Sequence, residues 1–156
     1  MAQRLLLAWI ATILAPAIAN AQSPAHRASI DLKGSIGYTA VFDDDAHHLH
    51  TSAAARLYLT DRFSIEPEVQ YLRASLHDDV VIAANVNLDL RRGRVIPYVS
   101  GGIGLANGRH FFAQGGVGTK IKMGESWFIA PDVRFGYYSH IRSSIGFGYT
   151  FGRPTR

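Results

Sequence analysis

From Ser29 onward the chain alternates apolar and polar residues at period two, and one of the two alternating sets carries no charge at all. Period two is the side-chain period of a β-strand, so each such segment has two faces of different chemistry. The apolar segments run for about ten residues between polar or glycine-containing clusters, which predicts strands near 29–42, 51–60, 63–72, 80–90, 95–106, 110–122, 127–138 and 143–151. The composition agrees, with 15 glycines, eight Phe and seven Tyr in 156 residues, a bias toward sheet and close backbone approach. The chain is therefore read as all-β, with eight antiparallel strands.

The uncharged set is Ile30, Leu32, Ile36, Tyr38 and Phe42; Ala53, Leu57 and Leu59; Phe63, Ile65, Val69 and Tyr71; Val80, Ile82, Val86 and Leu88; Val95, Val99, Ile103 and Leu105; Phe111, Val117 and Ile121; Trp127, Ile129, Val133, Phe135 and Tyr137; and Ile145, Phe147, Tyr149 and Phe151. A Lys or Arg facing hydrocarbon at the bilayer midplane costs about 2–4 kcal/mol, so a face without charge suits lipid. Its aromatics gather near strand ends: Trp127, Phe63, Tyr149 and Phe151 at one level, Tyr38, Phe42, Tyr71, Phe111 and Tyr137 at the other. Two such girdles mark membrane interfaces.

The opposite set is polar or small, and its ionisable members are Asp31, Lys33, Arg56, Glu66, Glu68, Asp89, Lys120, Lys122, Asp132 and Arg134. Acidic and basic residues are equal in number, so they can pair inside a closed interior, where an isolated ion costs several kcal/mol. Eight strands enclose a lumen just wide enough for side chains to fill, and Tyr58, Tyr98, Phe112, Phe128 and Tyr138 crowd it. Glycines 37, 102, 104, 116, 118, 136, 146 and 148 on the same face make room for them. Together these residues predict an eight-stranded up-and-down transmembrane β-barrel with a plugged lumen rather than an open channel. A soluble barrel with an apolar ligand cavity has the same alternation, but its outer face would then be rich in glycine and serine and poor in scattered charge.

Met1–Arg4 carry a positive charge, Leu5–Leu14 are apolar, and Ala19-Asn20-Ala21 supplies small residues for cleavage, so residues 1–21 read as a signal peptide. The apolar stretch is short for a membrane span and Pro16 interrupts it. Residues 22–28 then form an N-terminal periplasmic segment, 29–151 the barrel and 152–156 a C-terminal tail. The absence of cysteine excludes disulfides, thiolate metal sites and a lipid-modified cysteine. Although the net charge is +4, Lys and Arg are scattered without interleaved aromatics, which argues against nucleic acid as a partner.

Thr60-Asp61-Arg62, Arg91-Arg92-Gly93-Arg94 and Met123-Gly124-Glu125-Ser126 read as tight turns, recurring about every 32 residues, one strand pair per period. Ile65-Glu66-Pro67-Glu68-Val69-Gln70-Tyr71 resembles Ile129-Ala130-Pro131-Asp132-Val133-Arg134-Phe135 two periods later. The other connections, near 43–50, 73–79, 107–109 and 139–142, read as longer and polar, which predicts short turns at one end and outer loops at the other. Pro67, Pro97 and Pro131 each remove a ladder hydrogen bond, and bulges or distorted ladders are expected near them.

The last strand, Ser144-Ile145-Gly146-Phe147-Gly148-Tyr149-Thr150-Phe151, is similar to the C-terminal signal read by the outer-membrane assembly machinery, with the matches at Ser144, Gly146, Tyr149 and Phe151. With Pro97-Tyr98 followed by Gly101, Gly102 and Gly104, the chain resembles the OmpA/OmpX-type outer-membrane β-barrel domains over nearly its whole mature length. The tail after Phe151 departs from that pattern, because the family usually ends at the terminal aromatic. The resemblance implies a monomer integral to the bacterial outer membrane, with both termini periplasmic. It implies contact with outer-membrane lipid and lipopolysaccharide, the assembly machinery and periplasmic chaperones, and no cofactor.

Within such a family fold does not select function. The first expectation is a non-catalytic barrel that supports the envelope or presents surface loops. A lipid A deacylase-like enzyme is the alternative, for which Ser139, His140, Ser143 and Ser144 supply residue types; but His140-Ile141-Arg142 departs from the His-x-Ser arrangement, and no carboxylate follows Asp132. A third reading, alongside adhesion, is metal binding by a rim of His47, His48, His50, His77, His110 and His140, with Asp43, Asp44, Asp45, Asp78 and Asp79 beside them. Their spacing fixes no coordination geometry.

Overall fold

A strand with one oily and one polar face is stable in lipid only if its backbone groups are paired on both flanks, and closing the sheet on itself achieves that for every strand. The computed structural model describes residues 29–41, 46–73, 78–136 and 140–152 and has this form. The proposed signal peptide, the 22–28 segment and the tail beyond Gly152 lie outside the described residues. Eight strands follow one another: β1 (Ile30–Val41), β2 (Ala46–Tyr58), β3 (Phe63–Arg73), β4 (Asp78–Asp89), β5 (Val95–Ala106), β6 (His110–Lys122), β7 (Trp127–Gly136) and β8 (His140–Phe151). They make a closed barrel in sequence order. The closing seam is antiparallel and continuous, from Ile30 opposite Phe151 to Val41 opposite His140.

The described members of the uncharged set line the exterior. Ile36, Tyr38, Val99, Ile103, Phe111, Val117, Phe135, Ile145 and Phe147 are all exposed, while the centre of the barrel is filled by Tyr98, Phe112 and Phe128 together with charged side chains. Trp127 stacks on Phe147 with ring centroids 5.1 Å apart and meets Tyr149 edge-on at 4.9 Å, which builds one sector of an interfacial girdle on β7 and β8. Phe42 and Tyr137, assigned to the other girdle, lie outside the described residues.

Each of the eight lumen glycines stands where a neighbour needs its space. A Cβ at Gly104 would strike the Phe112 ring, at Gly118 the Tyr98 ring, at Gly148 the Phe128 ring, at Gly136 the His140 imidazole and at Gly146 the Lys33 stem. At Gly37, Gly102 and Gly116 it would meet His50, Asn85 and Arg134 together with neighbouring backbone. In a barrel this narrow, large and small residues must interlock across strands.

The connections correct the sequence reading. β2 begins at Ala46 and β8 at His140, so most of 43–50 and part of 139–142 is strand, and the connecting segments shrink to 42–45, 74–77, 107–109 and 137–139. These are no longer than 59–62, 90–94 and 123–126 at the opposite end, so the expected contrast between short turns and long loops is absent. Lumen-facing residues and loop residues are both polar, and polarity alone does not separate them. Asn107 and Gly108 adopt φ of 49° and 67°, and the Arg109 amide donates to the Ala106 carbonyl at 3.0 Å, the backbone of a tight primed turn. The Asn107 side chain holds that turn against β4 by donating to Asp79 and accepting from the Val80 amide at 3.0 Å.

Of the bulges or distorted ladders expected at the prolines, Pro67 and Pro131 produce interrupted ladders without a change of register. β2–β3 pairing stops at Ala54 opposite Glu68 and resumes at Leu57 opposite Ile65 in the same register, leaving a gap at Pro67. β6–β7 pairing skips in the same way between Gly118 opposite Asp132 and Ile121 opposite Ile129, at Pro131. The two seams lie four strands apart, so the internal repeat reappears as two matching interruptions on opposite sides of the barrel. Pro97 sits beyond the end of β4, where its carbonyl accepts the Leu90 amide at 2.8 Å.

The lumen as candidate functional site

Alternation turns Asp31 and Lys33 of β1, Arg56 of β2, Glu66 and Glu68 of β3, Asp89 of β4, Lys120 of β6 and Asp132 and Arg134 of β7 inward, and all nine are buried. The centre is one carboxylate shared by three cations: Glu66 receives Arg134 and Arg56 at 2.8 Å each and Lys33 at 3.3 Å. Around it, Glu68 takes Arg134 at 2.9 Å, and Asp132 takes Arg134 at 3.3 Å and Lys33 at 3.6 Å. Toward the end that carries the strand termini, Asp31 binds Lys120, accepts from Thr150 at 2.7 Å and from Tyr58 at 3.1 Å, while Arg56 also reaches Asp89 at 3.7 Å. The Arg56 guanidinium lies 4.3 Å from the Tyr98 ring centroid and the Lys120 ammonium 4.5 Å from that of Phe128.

Two members differ from the sequence reading. Lys122 is only half-buried at the mouth and has no ion pair among the described residues, whereas Arg142 is buried and pairs with Glu68 at 3.2 Å. Arg142 was missed because residues 139–142 read as a loop. The usable clue was its parity with Ser144, Gly146 and Gly148, which places it on the same inward row. With that exchange the described network still balances, five carboxylates against five cations.

Such a network plugs the barrel. Beside Asp31, Lys33, Arg56, Glu66, Lys120, Phe128 and Ala130 a void remains with room for about one water. At the other end His50 bonds Thr39 at 3.1 Å and Gln114 donates to Asn85 at 2.6 Å. His50 Nε2, Gln70 Nε2 and Arg142 Nη1 are buried there without a hydrogen-bond partner among the described residues.

Among the described residues the candidate rim does not come together as one cluster. His50 is buried inside β2 and His48 is half-buried above it, while His110 is exposed at the start of β6. His140 is half-buried, edge-on to Phe112 at 5.8 Å. The side chain of His47, on β2, and the whole of His77 lie outside the described residues. Among the described residues no three metal-ligating side chains are grouped. Of the hydrolase-type residues, Ser144 donates to Asp132 inside the barrel, Ser143 points outward, and Ser139 lies outside the described residues. His140 is four positions from Ser144 along β8, about 13 Å at strand rise, so no Ser-His pair forms between them. Of the assembly-signal residues, Gly146 accommodates Lys33, while the Tyr149 and Phe151 rings meet edge to face with centroids 4.7 Å apart on the outward row.

An oily exterior around a packed ionic axis, in eight consecutive antiparallel strands, is the fold of the OmpA/OmpX-type small outer-membrane barrels. No family profile and no curated relative matches the sequence. Among solved structures, the N-terminal barrel domain of Pseudomonas aeruginosa OprF aligns with 79% of this chain and 97% of its own at 18% identity, with a TM-score of 0.65. A de novo designed transmembrane β-barrel covers 83% of this chain and 98% of its own at 14% identity, with a TM-score of 0.62. Neisserial surface protein A covers 79% and 95% at 10% identity, with a TM-score of 0.60. At these identities the likeness is one of fold.

Proposed function

We propose that the processed chain is a monomeric, non-catalytic barrel integral to the bacterial outer membrane, which contributes mechanical and permeability integrity to the envelope rather than a conduit through it. The observation that carries this reading is the shared Glu66 site, where Lys33, Arg56 and Arg134 close the axis at mid-barrel. Both strand termini, Ile30 and Phe151, lie at the end of turns 59–62, 90–94 and 123–126, and this end faces the periplasm. The brevity of the four connections at the opposite end favours a supporting role over adhesion, with lipopolysaccharide as the contact there. The half-buried Tyr149 and exposed Phe151 on the outward row suit recognition of β8 by the assembly machinery, with periplasmic chaperones acting before insertion.

Purified protein folded into planar bilayers is expected to show no steady conductance, while boiled and unboiled samples migrate differently on a gel because the closed barrel resists detergent. Stable conductance steps from heat-modifiable protein would overturn the sealed lumen. Acyl hydrolysis or transfer by the lipid-reconstituted protein would overturn the non-catalytic role.

A further inference from the structure

The end of the barrel that carries the strand termini is ringed by cations over part of its circumference. Arg62 follows β2 in the first turn, Arg91, Arg92 and Arg94 fill the second, and all four are exposed. Arg92 is paired with Asp61, and the Arg94 guanidinium donates to the Lys122 carbonyl at 3.4 Å, but Arg62 and Arg91 have no carboxylate partner among the described residues. Just inside these turns, on the outward rows, stand Leu59, Leu90, Val95 and Met123, at 60%, 53%, 51% and 40% exposure. Cationic guanidinium groups therefore border an oily belt across the arc from β2 to β6. The remaining arc is different, because β7 and β8 carry the packed rings of Trp127, Phe147, Tyr149 and Phe151.

We propose that the Arg62, Arg91, Arg92 and Arg94 arc is a docking surface for anionic glycerophospholipid in the leaflet that meets this end, with the phosphate on the arginines and the acyl chains along Leu59, Leu90, Val95 and Met123. It rests on the membrane reading above. The chemistry is specific in two respects. A planar guanidinium takes a phosphodiester in bidentate fashion, and the apolar row directly beneath fixes the depth at which that phosphate must sit. A free phosphate supplies the first contact and lacks the second. The aromatic arc, with rings in place of cations, has no reason to prefer an anionic headgroup over a zwitterionic one. The cations are also placed at one end: the opposite connections bring Asp43, Asp44, Asp45, Asp78 and Asp79, against Arg73 and Arg109.

The test uses the full mature chain folded in phosphatidylcholine vesicles containing a trace of spin-labelled phosphatidylglycerol or spin-labelled phosphatidylcholine. The motionally restricted fraction of the label reports lipid held at the barrel. Each basic residue near an anionic lipid surface favours association about fivefold, so phosphatidylglycerol is expected to be held at least about fivefold more strongly than phosphatidylcholine. R62Q/R91Q/R92Q/R94Q is expected to bring the preference close to unity, whereas R73Q/R109Q at the opposite end leaves it in place. Excess glycerol phosphate is expected not to displace the lipid. Equal restriction of both lipids by wild type, retention of the preference in the fourfold variant, equal loss in both variants, or displacement by glycerol phosphate would each overturn the proposal. All proteins are first checked for heat-modifiable migration: a wild type that never forms the barrel in these vesicles contradicts the membrane reading itself, a result distinct from a folded barrel without lipid preference.

Discussion

Glu66→Ala is expected to destabilise the barrel by about 3–5 kcal/mol, the cost of removing one partner from a buried ionic set and leaving the others uncompensated. Glu66 is buried and is the only carboxylate within ion-pair distance of three cations among the described residues. The losses are unequal. Arg134 keeps Glu68 at 2.9 Å and Asp132 at 3.3 Å, and Lys33 keeps Asp132 at 3.6 Å, but Arg56 is left with Asp89 at 3.7 Å. Arg56 therefore loses the most, its 2.8 Å partner, and sets the penalty. Arg56→Leu/Glu66→Leu/Asp89→Asn, which takes out Arg56 together with both of its carboxylates, is expected to be more stable than Glu66→Ala, because among the described residues no buried ion is then left without an ion-pair partner. Urea unfolding in lipid vesicles, followed by the fluorescence of Trp127 on the exterior, measures both. A Glu66→Ala barrel as stable as wild type would show that water, not protein, already compensates these cations.

Arg56 and Glu66 also face each other across the seam that Pro67 interrupts, where β2–β3 ladder pairs are missing. Their 2.8 Å ion pair spans the place where backbone bonds are fewest. On the opposite side, the gap at Pro131 is bordered by Lys120, which reaches over to Asp31 of β1. At the Pro67 seam the Arg56–Glu66 ion pair, and at the Pro131 seam the Lys120 ammonium 4.5 Å from the Phe128 ring centroid, join the strands where ladder bonds are missing, so axis and wall stabilise each other.

Much of this was legible in the sequence because a membrane barrel writes its two faces at the shortest period a chain has. Parity along each strand was enough to send Ile36 and Ile145 outward and Glu66, Glu68 and Arg134 inward, and to pair each lumen glycine with the idea of a bulky neighbour. Which neighbour was not legible. The contact of Gly118 with Tyr98, or Gly104 with Phe112, depends on the register between strands, and register is a property of the closed sheet. The strand ends were misread for a related reason. Near the mouth both faces see water, so alternation fades and His47 to His50 look like loop although closure requires that Tyr38 to Val41 be paired on both flanks. Arg142 was lost by the same error. Asn107-Gly108 was a different failure: the strongest hairpin dipeptide in the chain was grouped with polar loops, although its residue types suit the two positive φ angles found there.

The orientation of the two faces is the point on which an outer-membrane barrel and a soluble barrel differ most, and a single cation on the outward row separates them. Ile145 pairs with Ile36 midway along β8 and β1 and is 54% exposed, so its side chain points into the centre of the apolar belt. Ile145→Arg is expected to cost about 2–4 kcal/mol in a bilayer, where a guanidinium at the midplane has neither water nor counter-charge. Val80→Arg, at the start of β4 and 37% exposed, places the same group near the interface, where the cost falls to about 0–1 kcal/mol. In water a guanidinium on an exposed row is solvated at either position, so a soluble barrel would tolerate both. The difference between the two variants, measured by urea unfolding in vesicles, isolates depth in hydrocarbon from loss of packing, since both replace an exposed β-branched residue on an outward row. Equal costs for Ile145→Arg and Val80→Arg would mean that no depth-dependent solvent surrounds the wall, and the inside-out arrangement of charge would then need another cause.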